Sequence, residues 1–333
     1  MRILHVVPGL DEVGNGISVA AKLIANEQGA DLVEARLFAS GKCDASQYDE
    51  VWVHSAWSPL VLRSCRRVLK LGKRLVRMAH ANYDPVRLRY HGWKKTLAGP
   101  IERFFLRRAK TLVATCEAEA KWIRAYEPRV KSIEVTGIKR VFNLNPVNPV
   151  NPVKKDLHLL YLGRRHPLKG LSYLETALAT YYNKWSSAPS SLAPTTACAD
   201  NPSSNPSRKA ATYYNKCPIE FRVVSDAFGD ELERVWDWCD VLVLPTLSEN
   251  FGLVIAEALE RGKRVITTDG APAWGENLSR VERVDGGMWS GYGGRLIYLK
   301  GYRDGTPEDR VRLLKSAIEN LLSRASLTPP AAK

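Results

Sequence analysis

Residues Val241 to Glu260 read VLVLPTLSENFGLVIAEALE. The run Val241–Leu244 is wholly apolar and no longer than a buried strand, Pro245 ends it, and apolar residues return at helical spacing from about Gly252 to Glu260. A strand without a polar face, followed at once by a helix, belongs in a parallel sheet with helices on both sides. The rhythm extends both ways. Upstream lie Leu157–Leu162, a helix from about Gly170, Ile219–Val224 and a helix through Glu231–Trp238, and downstream lies Val265–Thr268. The first half repeats it with Ile3–Val7, a helix from about Ser18, Val51–His54, a helix near Pro59–Leu71, Arg74–Met78, a helix through Glu102–Arg108 and Leu112–Thr115. The expected class is α/β, with two Rossmann-like doubly wound domains facing a cleft.

Between the halves Asn145–Val153 reads NPVNPVNPV, and a proline at every third position excludes both continuous helix and central strand. The expected layout is an N-terminal domain over residues 1–144, a Pro-rich linker over 145–155, a C-terminal domain over 156–300, and a helix and tail over 301–333. Residues 185–208 are dominated by Ser, Pro, Ala, Asn and Thr and read as a low-complexity insert or long surface loop. The hexapeptide ATYYNK occurs on both sides of it, at Ala179–Lys184 and Ala211–Lys216, which is a local duplication rather than a repeat array.

A chain of 333 residues can bury two cores, and 45% apolar with 25% charged residues is ordinary globular usage. The six cysteines lie far apart with no C-x-x-C pair, which suggests neither a disulfide framework nor a zinc site and fits a reducing cytoplasm. The first strand begins almost at Met1, which leaves no room for a signal peptide, and no run of about 18 apolar residues is present for a spanning helix. The net charge of +14 is concentrated: Arg63 to Lys110 carries 15 basic residues against Asp84 and Glu102, a local balance of +13. Such a face attracts anionic lipid, phosphorylated acceptors or nucleic acid through the same Coulomb force, or is a solvated surface without a specific partner.

In open α/β sheets ligands bind beyond the carboxyl ends of the strands, so the loops that follow strands carry the candidates. Gly163-Arg164-Arg165-His166-Pro167-Leu168-Lys169-Gly170 places two cations around a turn that opens a helix. The Arg164 guanidinium can grip phosphate oxygens in pairs and Lys169 supplies a compact charge, although surface cations in such loops are common. In the first-quoted stretch Glu249 sits at the strand exit and Glu257 about two turns into an apolar helix. A carboxylate there needs a partner, and the vicinal diol of a ribose or sugar is one; a surface glutamate on an amphipathic helix is the alternative. Asn250, Phe251 and Gly252 bring backbone N–H groups to a helix start, where phosphate binds. In Gly14-Asn15-Gly16-Ile17-Ser18 glycine permits close backbone approach, or simply a strand-turn-helix connection. His80, at the exit of Arg74–Met78, is the remaining candidate, although a lone histidine is often structural. No D-x-D, H-E-x-x-H, G-x-S-x-G or Walker sequence is present, which argues against the corresponding metal, hydrolase and nucleotidase chemistries.

The pair G-R-x4-K-G and E-x7-E, in that order, resembles the donor domain of retaining GT-B glycosyltransferases, in particular the branch that builds lipopolysaccharide cores and other surface glycans. LPTLSENFGLVIAEALERG, VITTDGAPAW (Val265–Trp274) and Gly-Met-Trp at Gly287–Trp289 carry the same resemblance, which covers about Leu157–Gly170 and Ile219–Trp289. The N-terminal half resembles the family more loosely. The resemblance implies catalytic roles for Glu249, on the donor sugar, and for His80, facing the reacting sugar. It implies diphosphate contacts from Arg164, Lys169, Gly16, Asn250, Phe251 and Gly252, and a ribose contact from Glu257. Hexosyl transfer with retention is then expected from a nucleotide sugar, a UDP-sugar first among them, to a glycan or lipid-linked acceptor. No metal and no other cofactor would take part. Lipopolysaccharide assembly would place the protein in the cytoplasm, peripheral on an anionic membrane surface, and away from nucleic acid. One departure stands out: the family has a strand and a glycine-containing turn after the K-G helix, and here the insert fills that interval, so the strand is missing or merged with Ile219–Val224. A non-catalytic GT-B-like protein that binds a nucleotide or glycan is the alternative. A nucleic-acid-binding protein is the other rival, and the chain lacks any module of that kind.

Overall fold

A computed structural model describes residues 1–12, 14–90, 92–136, 157–185, 219–276, 282–284 and 288–326. The first sheet holds β1 (Ile3–Val7), β2 (Asp31–Glu34), β3 (Glu50–His54), β4 (Arg74–Met78), β5 (Thr111–Ala114) and β6 (Ile133–Val135), in the order β2-β1-β3-β4-β5-β6. Every neighbouring pair is parallel. Helices α1 (Gly16–Gln28), α2 (Ala35–Ser40), α3 (Pro59–Lys70), α4 (Pro85–Arg89), α5 (Gly92–Arg108) and α6 (Glu117–Tyr126) connect the strands.

The second sheet runs β11-β12-β13-β10-β9-β7-β8. In chain order its elements are β7 (Leu157–Leu162), α7 (Leu171–Trp185), β8 (Ile219–Val224), α8 (Asp230–Trp238), β9 (Val241–Leu244), α9 (Leu253–Glu260) and β10 (Arg264–Thr268), then α10 (Pro272–Gly275), β11 (Glu282–Val284), β12 (Met288–Gly291), β13 (Leu296–Leu299) and α11 (Pro307–Ser326). All four residues of β9 are buried, as its uniform apolarity requires. The strands from β8 to β13 pair in parallel, while β11 and β12 extend the edge as antiparallel strands. The last helix, α11, packs on α7 and so closes the second domain.

The two-domain α/β expectation holds. The linker at 145–155 lies outside the described residues, as does all of the 185–208 insert beyond Trp185, where α7 ends. β8, which is Ile219–Val224, pairs with β7 over six residues, and Gly229 at φ 55° follows it; among the described residues it is the strand that follows α7.

In each sheet the chain winds outward in both directions from one pair of neighbours, β1 and β3 in the first and β7 and β9 in the second. A crevice opens at the carboxyl ends of such a pair. The loops placed there are 8–15 and 55–58 in one domain, and 163–170 and 245–252 in the other.

Candidate active site

The loops after β7, β9 and β10 are tied to one another. Pro167–Lys169 forms a 3-10 turn that Gly170 closes at φ 68°. The Leu168 carbonyl accepts both the Leu247 N–H at 2.8 Å and the Thr246 hydroxyl at 3.0 Å. The Glu249 N–H donates to the Gly270 carbonyl at 2.7 Å. These bonds bring the Lys169 ammonium onto the Glu249 carboxylate, to which it donates a charge-assisted hydrogen bond. Burial alone would raise the Glu249 carboxyl, but the charges of Lys169 and Arg87, with hydrogen bonds from Lys169 and the Asn250 N–H, outweigh it and hold the group below the usual range. Glu249 is therefore an anion that faces the first domain.

Across the cleft Asn250 reaches two groups of that domain: its amide nitrogen is 3.2 Å from His80 Nδ1, and its oxygen accepts from the Thr115 hydroxyl at 2.7 Å. His80 Nε2 is 2.8 Å from His54 Nδ1, His54 Nε2 is 2.8 Å from His5 Nδ1, and His5 Nε2 is 2.9 Å from the Gln28 side-chain oxygen. All three imidazoles are buried. An amide N–H2 can only donate, so His80 Nδ1 accepts, and each ring in turn carries its proton on Nε2 until Gln28 accepts the last. Burial pushes His5 down to about 4 and His80 to about 3, and it lowers His54 well below the ordinary value, so the three rings are neutral. His80 and Ala81 have φ of 55° and 59°. Glu119 holds that bend by accepting the Ala81 N–H at 2.5 Å. Burial raises the Glu119 carboxyl, and Thr115 has one hydroxyl proton for two oxygens, Glu119 Oε2 and Asn250 Oδ1, each 2.7 Å away.

Two family models match this chain: one described as "Glycosyl transferase 4-like domain" over residues 7–137, and one described as "Glycosyl transferases group 1" over residues 156–285. Together they take in most of the chain. The chain belongs to the GT-B glycosyltransferases. Among solved structures it is similar to Anabaena HepE in complex with UDP-glucose, at 14% identity and a TM-score of 0.56, with 98% of this chain and 94% of that one covered. A sucrose-phosphate synthase from Thermosynechococcus elongatus gives 13% identity and a TM-score of 0.59 over 98% and 92% of the two chains. A UDP-forming trehalose-phosphate synthase from Burkholderia vietnamiensis gives 13% and 0.56 over 99% and 92%. No curated protein matches in sequence.

In this glycosyltransferase Lys169, Glu249, Asn250 and His80 come together at the cleft. Arg164 is exposed beside them, and its carbonyl accepts from the Tyr161 hydroxyl at 2.9 Å. Phe251 is a core residue packed on Trp274, whose indole N–H donates to its carbonyl. Gly252 caps α9 at φ 71°, and the helix begins only at Leu253. Glu257, four residues after Leu253, is thus little more than one turn in, rather than two; burial raises its carboxyl. Gly16 opens α1 with nothing within 4 Å of where a Cβ would stand, whereas a Cβ on Gly14, at φ 75°, would be 3.4 Å from Phe228 of the other domain. Among the described residues no group of three His, Cys, Asp or Glu could hold a metal ion, and no helix is long and apolar enough to cross a membrane.

Sequence reasoning missed the residues that join the domains. Asp84 Oδ2 accepts from the Ser248 hydroxyl at 2.5 Å and Oδ1 from Arg303, while Arg87 Nε donates to Ser248 Oγ at 2.9 Å. Glu276 accepts the Glu117 and Ala118 N–H groups, both at 2.7 Å, so a carboxylate of the second domain caps α6 of the first. Nothing local marks such pairs, which lie up to 219 residues apart. His5 and His54 did leave a signal: His5 is the lone polar residue of β1, and His54 ends the apolar run Val51–Val53.

Proposed function

We propose that this glycosyltransferase moves a hexose from a UDP-sugar to a glycan or lipid-linked acceptor, with retention and without a metal. The observation that carries the reading is the Lys169–Glu249 pair at the β7–β9 crevice, opposite His80, which Asn250 of the same loop as Glu249 reaches across the cleft. In a donor complex Lys169 turns from Glu249 to the diphosphate, together with the exposed Arg164, and the two cations stabilise the leaving group in place of a metal. Glu249, freed, accepts hydrogen bonds from sugar hydroxyls, and neutral His80 meets the sugar from the other side. Burial raises the Glu257 carboxyl, and hydrogen bonds from a ribose diol would favour its charged form. The departing phosphate takes the acceptor proton, so no protein nucleophile is required. UDP-glucose in HepE and the UDP-forming trehalose-phosphate synthase support the choice of base. A role in lipopolysaccharide or other surface-glycan assembly in the cytoplasm belongs to the same proposal.

Titration calorimetry and turnover against a panel of nucleotide sugars test it. Lys169→Ala and Glu257→Ala are expected to weaken donor binding by about tenfold or more, the loss of one charge-assisted contact of about 1.5–3 kcal/mol. Glu249→Ala should leave donor affinity within a few-fold and lower kcat. Unchanged affinity in both binding variants defeats the assignment, and tight binding of a donor without turnover by any acceptor favours a GT-B-like binding protein.

A further inference from the structure

Helix α5 is apolar on two opposite sides. Its inner side is core: Glu102, Phe105 and Leu106 are buried, and Glu102 pairs with buried Arg77 at 2.7 Å. Its outer side exposes Trp93 (65%), Leu97 (72%), Ile101 (52%) and Phe104 (41%). The spacing of four, four and three residues lines them along one stripe. Beside the stripe a groove of about 640 Å³ runs between α5 and α3, with Leu69, Pro100, Ile101 and Phe104 in its walls and Arg66, Lys70 and Arg108 at its rim. Single exposed apolar residues are ordinary, but a row of four bordering a groove marks a binding surface.

We propose that this face of α5 and α3 seats on an anionic lipid bilayer. Charge selects the occupant. Both acids of the Arg63–Lys110 segment, Asp84 and Glu102, are buried, so the charged groups that this segment presents to solvent are cations only. Cations also stand next to the aromatic rings of the stripe, Lys94 at 5.4 Å from the Trp93 ring and Arg108 at 5.2 Å from the Phe104 ring. An apolar stripe flanked by Lys and Arg, with Trp among its members, matches a headgroup–acyl boundary, where rings enter the apolar layer and cations remain with lipid phosphates. A nucleic-acid backbone would use the cations but leave Leu97 and Ile101 in water.

The face is tied to the cleft. The Lys95 ammonium donates to the carbonyls of Arg87 and Tyr90, which fixes the start of α5 to α4, and Arg87 of α4 reaches Ser248 across the cleft. Seating α5 on a bilayer therefore brings the cleft rim to the membrane surface. This purpose rests on the lipid-linked acceptor of the proposed function, but the binding itself does not.

The test is sedimentation of the full chain, without nucleotide sugar, with phosphatidylcholine vesicles that contain or lack phosphatidylglycerol, over a salt series. The wild type is expected to sediment with anionic vesicles only, and to release as salt shortens the Debye length from about 10 Å at 0.1 M. Leu97→Ser/Ile101→Ser, at two exposed positions, should keep its unfolding midpoint and lose about tenfold or more in partitioning, because each aliphatic side chain withdrawn from water is worth a sizeable part of a tenfold factor. Lys70→Glu/Lys94→Glu should lose binding chiefly at low salt. Absence of wild-type binding to either vesicle, equal binding to both, or full binding by the serine variant overturns the proposal. Capture of wild type and serine variant alike by duplex DNA, with no vesicle binding, overturns it in favour of a nucleic-acid surface. Turnover is not read, so a failure here leaves the donor-site assignment standing.

Discussion

His54→Ala is expected to lower the unfolding midpoint by about 10 °C, from a loss of roughly 4 kcal/mol at 2–4 °C per kcal/mol for a domain of this size. The side chain is fully buried, and both of its ring nitrogens are bonded at 2.8 Å, to His5 and to His80. Alanine leaves a cavity and two unmatched buried nitrogens, each stranded group costing about 1–3 kcal/mol. The effect should reach the cleft as well, because His80 loses the acceptor that fixes its Nε2 proton. A fall in kcat with donor affinity within a few-fold is the expected kinetic result. His54→Gln can keep one of the two bonds, so it should recover part of the midpoint. Thermal unfolding of both variants decides the matter, and a shift under 3 °C for His54→Ala would show that the histidine row carries little of the domain's stability.

The same row sets a pH dependence. In the unfolded chain each histidine titrates near 6.5, whereas in the fold His5 is held to about 4, His80 to about 3, and His54 well below its ordinary value. Below pH 6.5 the unfolded chain binds more protons than the folded one, so the stability from these groups is complete above that pH and is lost as pH falls toward the folded values. Each buried neutral histidine contributes a slope of up to about 1.4 kcal/mol per pH unit in that window. Urea midpoints should be level from pH 8 to 7 and then drop steadily to pH 5. His54→Gln should flatten the drop by about one proton. A level profile from pH 7 to 5 in the wild type would mean that these rings titrate normally.

Much of the fold is legible because the strands of a doubly wound sheet are apolar on both faces, and Ile3–Val7, Leu157–Leu162 and Val241–Leu244 look like nothing else. Most strands that escaped are short and at or near an edge: β2 and β6 expose polar residues, and β11 pairs with β12 outside the alternation; β13 escaped as well, although all four of its residues are buried and it pairs in parallel with β10. Helix α5 reads as starting near Glu102 because Gly99 and Pro100 interrupt its pattern, yet it runs from Gly92. That misreading hid the outer stripe, which only the full helix displays. At the site, Lys169 and Glu249 are legible because a charged residue stands in each loop where the sheet leaves a crevice. Asp84, Ser248, Glu276 and Arg303 are ordinary polar residues in their own neighbourhoods. Their meaning comes from the apposition of two domains, and no local pattern encodes that.

Gly170→Ala is expected to be the most damaging small substitution in the second domain. Position 170 sits at φ 68°, and a Cβ there would overlap the Pro245 carbonyl oxygen while coming to 3.2 Å from the Tyr302 hydroxyl. The left-handed backbone alone disfavours alanine by about 1–2 kcal/mol. The overlap is with backbone, so a rotamer change cannot relieve it and the loops after β7 and β9 must separate. Those loops are held by the two bonds that Leu168 accepts from Leu247 and Thr246, and separating them strands buried groups at about 1–3 kcal/mol each. The expected result is a midpoint lower by about 10 °C, at 2–4 °C per kcal/mol. Lys169 moves with the loop, so its reach toward Glu249 is lost, and with it the proposed contact to a diphosphate; donor affinity should then fall at least tenfold. Gly16→Ala is the contrast: its Cβ meets open space at the first position of α1, and its midpoint should hold. Scanning calorimetry of the two variants with and without UDP tests both halves. Equal midpoints for Gly170→Ala and wild type would mean that the β7 and β9 loops are not in contact, and would remove the Lys169–Glu249 pair on which the donor site rests.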